Sequence, residues 1–392
     1  MNIYNTVDIN SKLDSILGKS GFKKDFKSHL LYIIFHIRTY PFKDRSYSTE
    51  DYIPVKLEYL RKLVSFDYAS KFLKLLVDEG LLETDNRYEI GVKSKGYRLS
   101  QKYRKGKFFL EEVQDKDLVN RIKKGLMGMK NEVLRRNDSY SYITQWMEHL
   151  NIDMDKALNY VETEVDTEQK KDKFTMMLEI FDEKFSKVDK TSNRLHNNLT
   201  NLATPLRSYL TLNGHKIAQC DLKNSQPLLF RIHLETYTFI PVAELDKYLD
   251  VVCNIGFYEF FAEKLNIKLD EKNRTDFKKK IFGGVLFDRN RRGLSKYEKV
   301  FKEEFPIIFH CMRDMKEDNY KNIPIALQKL ESEYIFKCVD RLRKDYENIE
   351  LLTIHDSIAT VEGKEQIVYD VMMEEFYNSF GILPKIKIEK FA

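Results

Sequence analysis

Between Phe26 and Ile37 the apolar residues Leu30, Ile33, Ile34 and Ile37 recur at intervals of three and four, the pattern of an amphipathic helix. The same period predicts helices over Leu57 to Leu63 and Tyr68 to Glu79, the second closed by Gly80 at a C-cap position. Leu81 to Thr84, a polar turn at Asp85-Asn86, and Arg87 to Ile90 then read as a hairpin. Helix, helix, helix, hairpin is the order of a winged helix. Residues 111 to 190 are polar and helix-prone, with almost no Gly or Pro, and predict an extended pair of helices joining two units. Beyond 200 the texture changes. Ile217 to Leu222 (IAQCDL) and Leu351 to Gly363 (LLTIHDSIATVEG) are apolar and strand-like, each interrupted by an acid that strand propensity disfavours. Strands near each end of a helical region predict an α+β unit on an antiparallel sheet.

A chain of 392 residues exceeds one average domain of about 150, so two or three packed units are expected. With 42% hydrophobic and 32% charged residues, 15 Gly and 8 Pro, wholesale disorder and fibrous repeats are excluded. The most apolar run, Leu30 to Ile37, is far short of the roughly 20 residues of a membrane span, and the first residues lack a signal-peptide profile. A cytoplasmic protein is expected. Cys220, Cys253, Cys311 and Cys338 show no paired spacing for zinc and are expected to be reduced core residues.

The net charge of +5, from 66 basic and 61 acidic residues, is too small to establish a polyanionic partner. Local clustering is more informative. Lys93 to Lys107 (KSKGYRLSQKYRKGK) interleaves Lys93, Lys95, Arg98, Lys102, Arg104, Lys105 and Lys107 with Tyr97 and Tyr103. Such a strip can neutralise phosphates and stack on bases, although charge runs are more often solvated surface.

Asp221 ends one apolar strand, and Asp356 sits in the turn between two others. Each alone reads as a turn or capping residue. Together they suit hard divalent cations, which take oxygen ligands and bind through one or two carboxylates plus substrate phosphates. Between them, Arg274, Lys278 and Phe282 are spaced by four and share one helix face, able to grip a triphosphate and cover a base. A basic surface helix with one core aromatic fits the same spacing.

These segments resemble, in order, the three motifs of family A DNA polymerases, the DNA polymerase I type. QCDLKNSQPLLFR is similar to motif A, RTDFKKKIFGG to motif B and TIHDSI to motif C. NRLHNNLTNLATPLR before motif A, NIPIALQKLESEYIFK before motif C and GILPKIKIE near the end resemble the family's flanking segments, so the likeness covers roughly residues 190 to 392. The resemblance implies a right-hand polymerase palm with helical fingers and a reduced thumb. Asp221, Asp356 and the carbonyl of Leu222 would hold two Mg²⁺, with Mn²⁺ as a substitute. Arg274, Lys278 and Phe282 would bind the nucleotide, and Arg194, Asn201, Arg207, Gln328 and His355 the primer and template.

The helical and hairpin pattern, together with the resemblance, divides the chain into a winged-helix-like module (1–110), a helical connector or reduced thumb (111–192) and, as the resemblance implies, palm plus fingers (193–392). The resemblance implies template-directed DNA synthesis in phage or mobile-element replication, in the cytoplasm of a bacterial cell or phage-infected host. The partners would be DNA template and primer, nucleoside triphosphates, and a small accessory protein or helicase. No proofreading exonuclease motif is found in residues 1 to 190. Three departures bear on sugar choice. The stretch Asn224-Ser225-Gln226-Pro227-Leu228 has no acid where the family carries the glutamate that excludes a ribose 2′-hydroxyl. Ser357 stands where the family has a carboxylate after the second aspartate, and Leu286 where it has a fingers tyrosine. A primase or RNA-synthesising polymerase is therefore the alternative within the class, and a non-catalytic nucleic-acid-binding replication protein the alternative outside it.

Overall fold

In the computed structural model the described residues are 2–20, 26–43, 47–48, 50–89, 94–104, 108–135, 138–181 and 184–391. They form two compact units: residues 1–133, 152–186 and 197–209, and residues 134–151, 187–196 and 210–392. The segment 111–192 is divided between the two and does not form a third unit.

In the first unit the expected helices occur at Lys27–Lys43, Leu57–Leu63 and Ala69–Asp78. Leu30, Ile33, Ile34 and Ile37 are all buried, as the three-and-four spacing requires. Gly80 adopts φ +73° after the third helix. Its amide donates to Val77 O and that of Leu81 to Leu76 O, the paired bonds of a Schellman cap. Leu82–Thr84 does form a strand, but its partner is not Arg87 to Ile90. It pairs with Gly96–Leu99, in register Leu82↔Leu99 and Glu83↔Arg98, and Ile53–Pro54 lies on that strand's other side.

At the start of that partner strand Gly96 packs where no side chain fits. A Cβ there would meet Tyr52 Cβ at 2.7 Å and Asp85 Oδ2 at 2.9 Å. Part of the basic strip is thereby absorbed into the sheet, Arg98 pairing with Glu83 at 2.8 Å and lying 4.2 Å over the Tyr52 ring. Lys93, Lys105 and Lys107 of that strip, and Ile90, lie outside the described residues. The expected pair of long helices is instead four shorter ones, Lys116–Leu134, Asp138–Trp146, Met154–Thr163 and Glu168–Glu179.

The second unit is built on a four-stranded antiparallel sheet. Its strands are β1 (Ile217–Leu222), β2 (Leu352–Ile354), β3 (Ser357–Val361) and β4 (Ile386–Lys390), in the order β2-β3-β1-β4. The helices used below are α1 (Ser225–Leu234), α2 (Phe257–Lys264), α3 (Glu271–Ile281), α4 (Asn322–Asp345) and α5 (Glu365–Phe380). α5 packs on β1, β3 and β4, and α4 packs on α5 and α1. In β1 every residue except Asp221 is buried, and β3 is buried throughout, which is why both runs are mostly apolar on both faces instead of alternating strictly. The edge strand β4 carries Lys387, Glu389 and Lys390, charges that discourage pairing with another sheet.

Around α2 a second cluster of fully buried rings gathers Tyr248, Phe257, Phe261, Phe301 and Phe305, with Phe261 and Phe301 stacked at 5.6 Å. Cys220, Cys311 and Cys338 are buried thiols as expected, whereas Cys253 is only half-buried.

Candidate active site

The sheet brings the two acids together. Asp221 is the penultimate residue of β1 and sits opposite Ser357, the residue that follows Asp356. Asp356 occupies the tight β2–β3 turn, where His355 adopts φ +53°, and the Leu222 amide donates to the Asp356 carbonyl at 3.2 Å. This bond ties the end of one acid's strand to the other acid's turn. Burial, and then the charge of Asp221, push the Asp356 carboxyl above the ordinary aspartate range. The Ser225 hydroxyl, donating to Asp356 Oδ2 from the first turn of α1, pulls it back. Asp221 is part-exposed and receives Lys223 Nζ at 2.8 Å. Burial works against the charge on Lys223, but Asp221 and Glu389 outweigh it and leave the amine above the ordinary lysine range.

The cationic helix faces the same acids. Its N-terminus carries a full capping box between Asp270 and Asn273, which fixes where α3 begins. Lys278 Nζ lies 4.9 Å over the ring of Tyr258 on α2, and the Phe282 ring is 5.7 Å from the same ring. Lys278, exposed overall, is nonetheless shifted below the ordinary lysine range by partial desolvation and by Arg274 and Lys223, with Asp221 opposing. Arg274 is paired with Glu259. The α-helix stops at Ile281, and Phe282–Phe287 continue as a π-helical turn, so Phe282 heads a widened turn and does not close a straight face. Leu286 is fully buried, and the Phe287 ring lies tilted against Phe282 at 5.5 Å.

Arg194 and Gln328 also belong to this unit. Arg194 is bound to the buried Glu331 of α4, Nε at 2.8 Å and Nη2 at 2.6 Å, and Gln328 lies one turn before Glu331 on the same helix. His355 meets the His196 ring at 5.9 Å. Asn201 and Arg207 fall in the first unit, Asn201 buried at the end of a four-residue helix and Arg207 in a 3₁₀ turn with its Nη2 3.5 Å from Leu202 O. They are therefore not among the residues that this unit gathers around the acids.

No protein-family model matches the chain, and no curated protein matches it. Among solved structures it is similar to the polymerase domain of Pol1 from M. smegmatis in complex with DNA primer-template and dNTP, at 12% sequence identity and a TM-score of 0.42. That likeness covers 69% of this chain and 65% of the other. At that level it establishes neither fold nor activity.

Four residues at the site escaped sequence reasoning. Lys223 and Ser225 flank a recognisable aspartate, but nothing in their spacing says that one reaches Asp221 and the other Asp356. Tyr258 stood in an aromatic run, YEFF, that reads as core. Glu331 offered the one usable signal. A glutamate flanked on its helix face by Leu327, Tyr334 and Ile335 is a charge on an apolar stripe, and such a charge has a buried partner. Among the described residues, no group of three or more His, Cys, Asp or Glu side chains forms a metal cluster. No helix there is long and apolar enough to cross a membrane.

Proposed function

We propose that this chain is a template-directed nucleotidyltransferase, a DNA polymerase of phage or mobile-element replication that adds nucleotides to a 3′-hydroxyl. The observation that supports it most is the juxtaposition of Asp221, near the end of β1, with Asp356 in the turn leading into the adjacent antiparallel strand β3, with Lys278 and Tyr258 within electrostatic reach of the pair. Two crowded carboxylates, one of them held above its ordinary pKa by burial and by the other's charge, form an oxygen-only donor set with excess negative charge. That suits a hard divalent cation better than a thiolate- or imidazole-seeking one.

Asp221, Asp356 and the Leu222 carbonyl would hold Mg²⁺, two ions in the full complex, or Mn²⁺ in its place. Bound there, such ions lower the pKa of an attacking hydroxyl and neutralise a triphosphate. The chain's own residues prepare that chemistry. Ser225 fixes one carboxylate oxygen of Asp356, and Lys223 screens Asp221 until a cation arrives. Lys278 and Arg274 offer charge to the triphosphate, and Phe282 with Tyr258 forms a wall for the base or sugar. Arg194, Gln328 and His355 would hold the primer terminus.

The three-helix, three-strand part of the first unit is proposed as a winged-helix-like module. With the basic residues around Arg98 it would grip template, and the helices after residue 111 would serve as a reduced thumb. The absence of any acid in residues 224 to 228 favours a second reading, primase or RNA synthesis. Extension on a single-stranded template with Mg²⁺, with and without primer and with deoxy- or ribonucleotides, tests both. Product only from primed template supports the first reading, and product without primer supports the second. Activity unchanged in Asp221→Ala and Asp356→Ala refutes the enzyme and leaves a nucleic-acid-binding protein.

A further inference from the structure

In the first unit a short turn, residues 64–68, joins the helices Leu57–Leu63 and Ala69–Asp78. The turn is held from behind. Arg121 donates from Nε to the Leu63 carbonyl at 2.8 Å and from Nη2 to the Val64 carbonyl at 2.9 Å. Ala69, Phe72, Leu73 and Leu76 bury one side of the second helix, which leaves Ser70, Lys71, Lys74 and Asp78 exposed on the other. The strand Leu82–Thr84 packs on this helix and leads into a loop whose base Asp85 closes, accepting from the Arg87 amide at 3.1 Å and the Gly96 amide at 2.8 Å. Arg87 stands exposed on that loop.

The cations of this unit fall into two sets. In the basic strip, Arg98 is bound to Glu83 and to the Glu50 carbonyl, and Arg104 to the Glu50 carboxylate and the Leu99 carbonyl. Their charge is already matched within the protein. Lys71, Lys74 and Arg87 are exposed and form no ion pair among the described residues. The charge that remains for a polyanion is therefore on the helix and the loop.

We propose that this face is a binding site for duplex DNA, with the helix Ala69–Asp78 in the major groove and Arg87 on the flanking phosphates. A helix is about 10–12 Å across, and a major groove of about 12 Å admits one. In a helix-turn-helix the second helix enters the groove with its N-terminal residues toward the bases, and Ser70, Lys71 and Lys74 lie in that half. Lysine donors suit guanine N7 and O6, and Asp78 can accept from a cytosine amine. Single strands are held by rings on which successive bases stack, and the exposed side of this helix carries none. Duplex capture here is separate from the acid pair and from the template grip assigned to the strip, and it does not depend on the polymerase reading. It brings the chain to double-stranded DNA whether or not a primer terminus is present.

The test is binding of the full chain to a 24-base-pair dumbbell, a duplex closed at both ends that offers no 3′-terminus, beside a circular single strand of the same base composition. Fluorescence anisotropy from 50 to 300 mM salt should show the dumbbell bound about tenfold or more tighter than the circle. Each phosphate contact contributes about 0.9 to the slope of log affinity against log salt. Lys71→Ala/Lys74→Ala/Arg87→Ala should therefore weaken dumbbell binding about tenfold or more at 100 mM salt and reduce that slope by about two to three. Replacing the guanines with 7-deazaguanine, which removes N7 and keeps every phosphate, should weaken wild-type binding several-fold. Bound dumbbell should also protect Lys71 and Lys74 from acetylation in the wild type, a readout that needs no variant to fold. No binding of the dumbbell at 50 mM salt, equal binding of the circle, or an unchanged salt slope in the folded triple variant overturns the proposal. Unprotected lysines or full affinity for the 7-deaza dumbbell overturns the placement of the helix in the groove.

Discussion

Replacing Arg194 with alanine strips Glu331 of its cation. The Glu331 side chain is 2% exposed, and what remains to it is one amide donor, Gln226 Nε2 at 2.6 Å. Removing one partner of a buried ion pair costs about 3–5 kcal/mol, because the other charge stays buried and uncompensated. Arg194 is itself 18% exposed and Gln226 persists, so the low end applies, about 3 kcal/mol at pH 8. For a unit of about 200 residues that is a fall in Tm of roughly 6–12 °C.

The pH dependence gives the sharper test. Burial, opposed by Arg194 and reinforced by Asp356, already lifts the Glu331 pKa to about 7, and losing Arg194 raises it further. An acid whose folded pKa is raised binds more protons folded than unfolded between the two values, so stability falls as pH rises through that window. The cost of Arg194→Ala should therefore be largest above pH 7. At pH 5.5 it should drop to about 1 kcal/mol, the packing of the arginine stem. Adding Glu331→Gln to Arg194→Ala should recover most of the loss at pH 8. The assay is thermal and urea unfolding of the four proteins of the cycle at pH 5.5 and 8. A cost independent of pH, or a double variant no better than Arg194→Ala, would refute the buried-carboxylate argument.

Asp356→Asn should raise Tm at pH 8 and leave it unchanged at pH 3. Asparagine removes a carboxyl that burial and Asp221 hold above its ordinary pKa, and that penalty exists only once the acid ionises. Lys316 is buried against the Val285 carbonyl in the π-helical turn, and burial lowers its pKa to about 8. The folded state thus binds fewer protons than the unfolded one between pH 8 and 10.5, so stability rises with pH there. Lys316→Met should flatten that rise in denaturant titrations at pH 8, 9 and 10. Tyr258→Leu removes the ring under Lys278 and should raise the KM for nucleotide several-fold, by about 0.5–1 kcal/mol, with a smaller change in kcat. A kcat loss with unchanged KM would move Tyr258 out of the nucleotide wall.

What the sequence made legible was periodic or local. The buried faces of the first unit followed from three-and-four spacing, the Gly80 cap from one residue, and the sheet strands around Asp221 and Asp356 from apolar runs broken by an acid. The β2–β3 turn was readable because His355-Asp356 separates two such runs. What stayed hidden depends on contacts between distant parts of the chain. The strand partner of Leu82–Thr84 is Gly96–Leu99, further along the chain than the nearest apolar run, and no local pattern selects it. The break of α3 into a π-helical turn leaves Arg274, Lys278 and Phe282 with the spacing of a straight helix, so pattern alone put all three on one face. Arg194 and Glu331 are 137 residues apart, and no local rule pairs them. Asn201 and Arg207 were joined to the acids by a resemblance of segments, whereas their contacts group them with the first unit.

The central claim is that Asp221 and Asp356 direct a templated nucleotidyl transfer. Its most direct test is single-nucleotide insertion with Mg²⁺ opposite each of the four template bases, by wild type and by the Asp221→Asn and Asp356→Asn variants, each shown to be folded. The account predicts that the nucleotide inserted follows the template base and that either substitution lowers the rate by about a thousandfold or more, roughly 4 kcal/mol of barrier. Insertion that ignores the template, or that survives both substitutions, would contradict it.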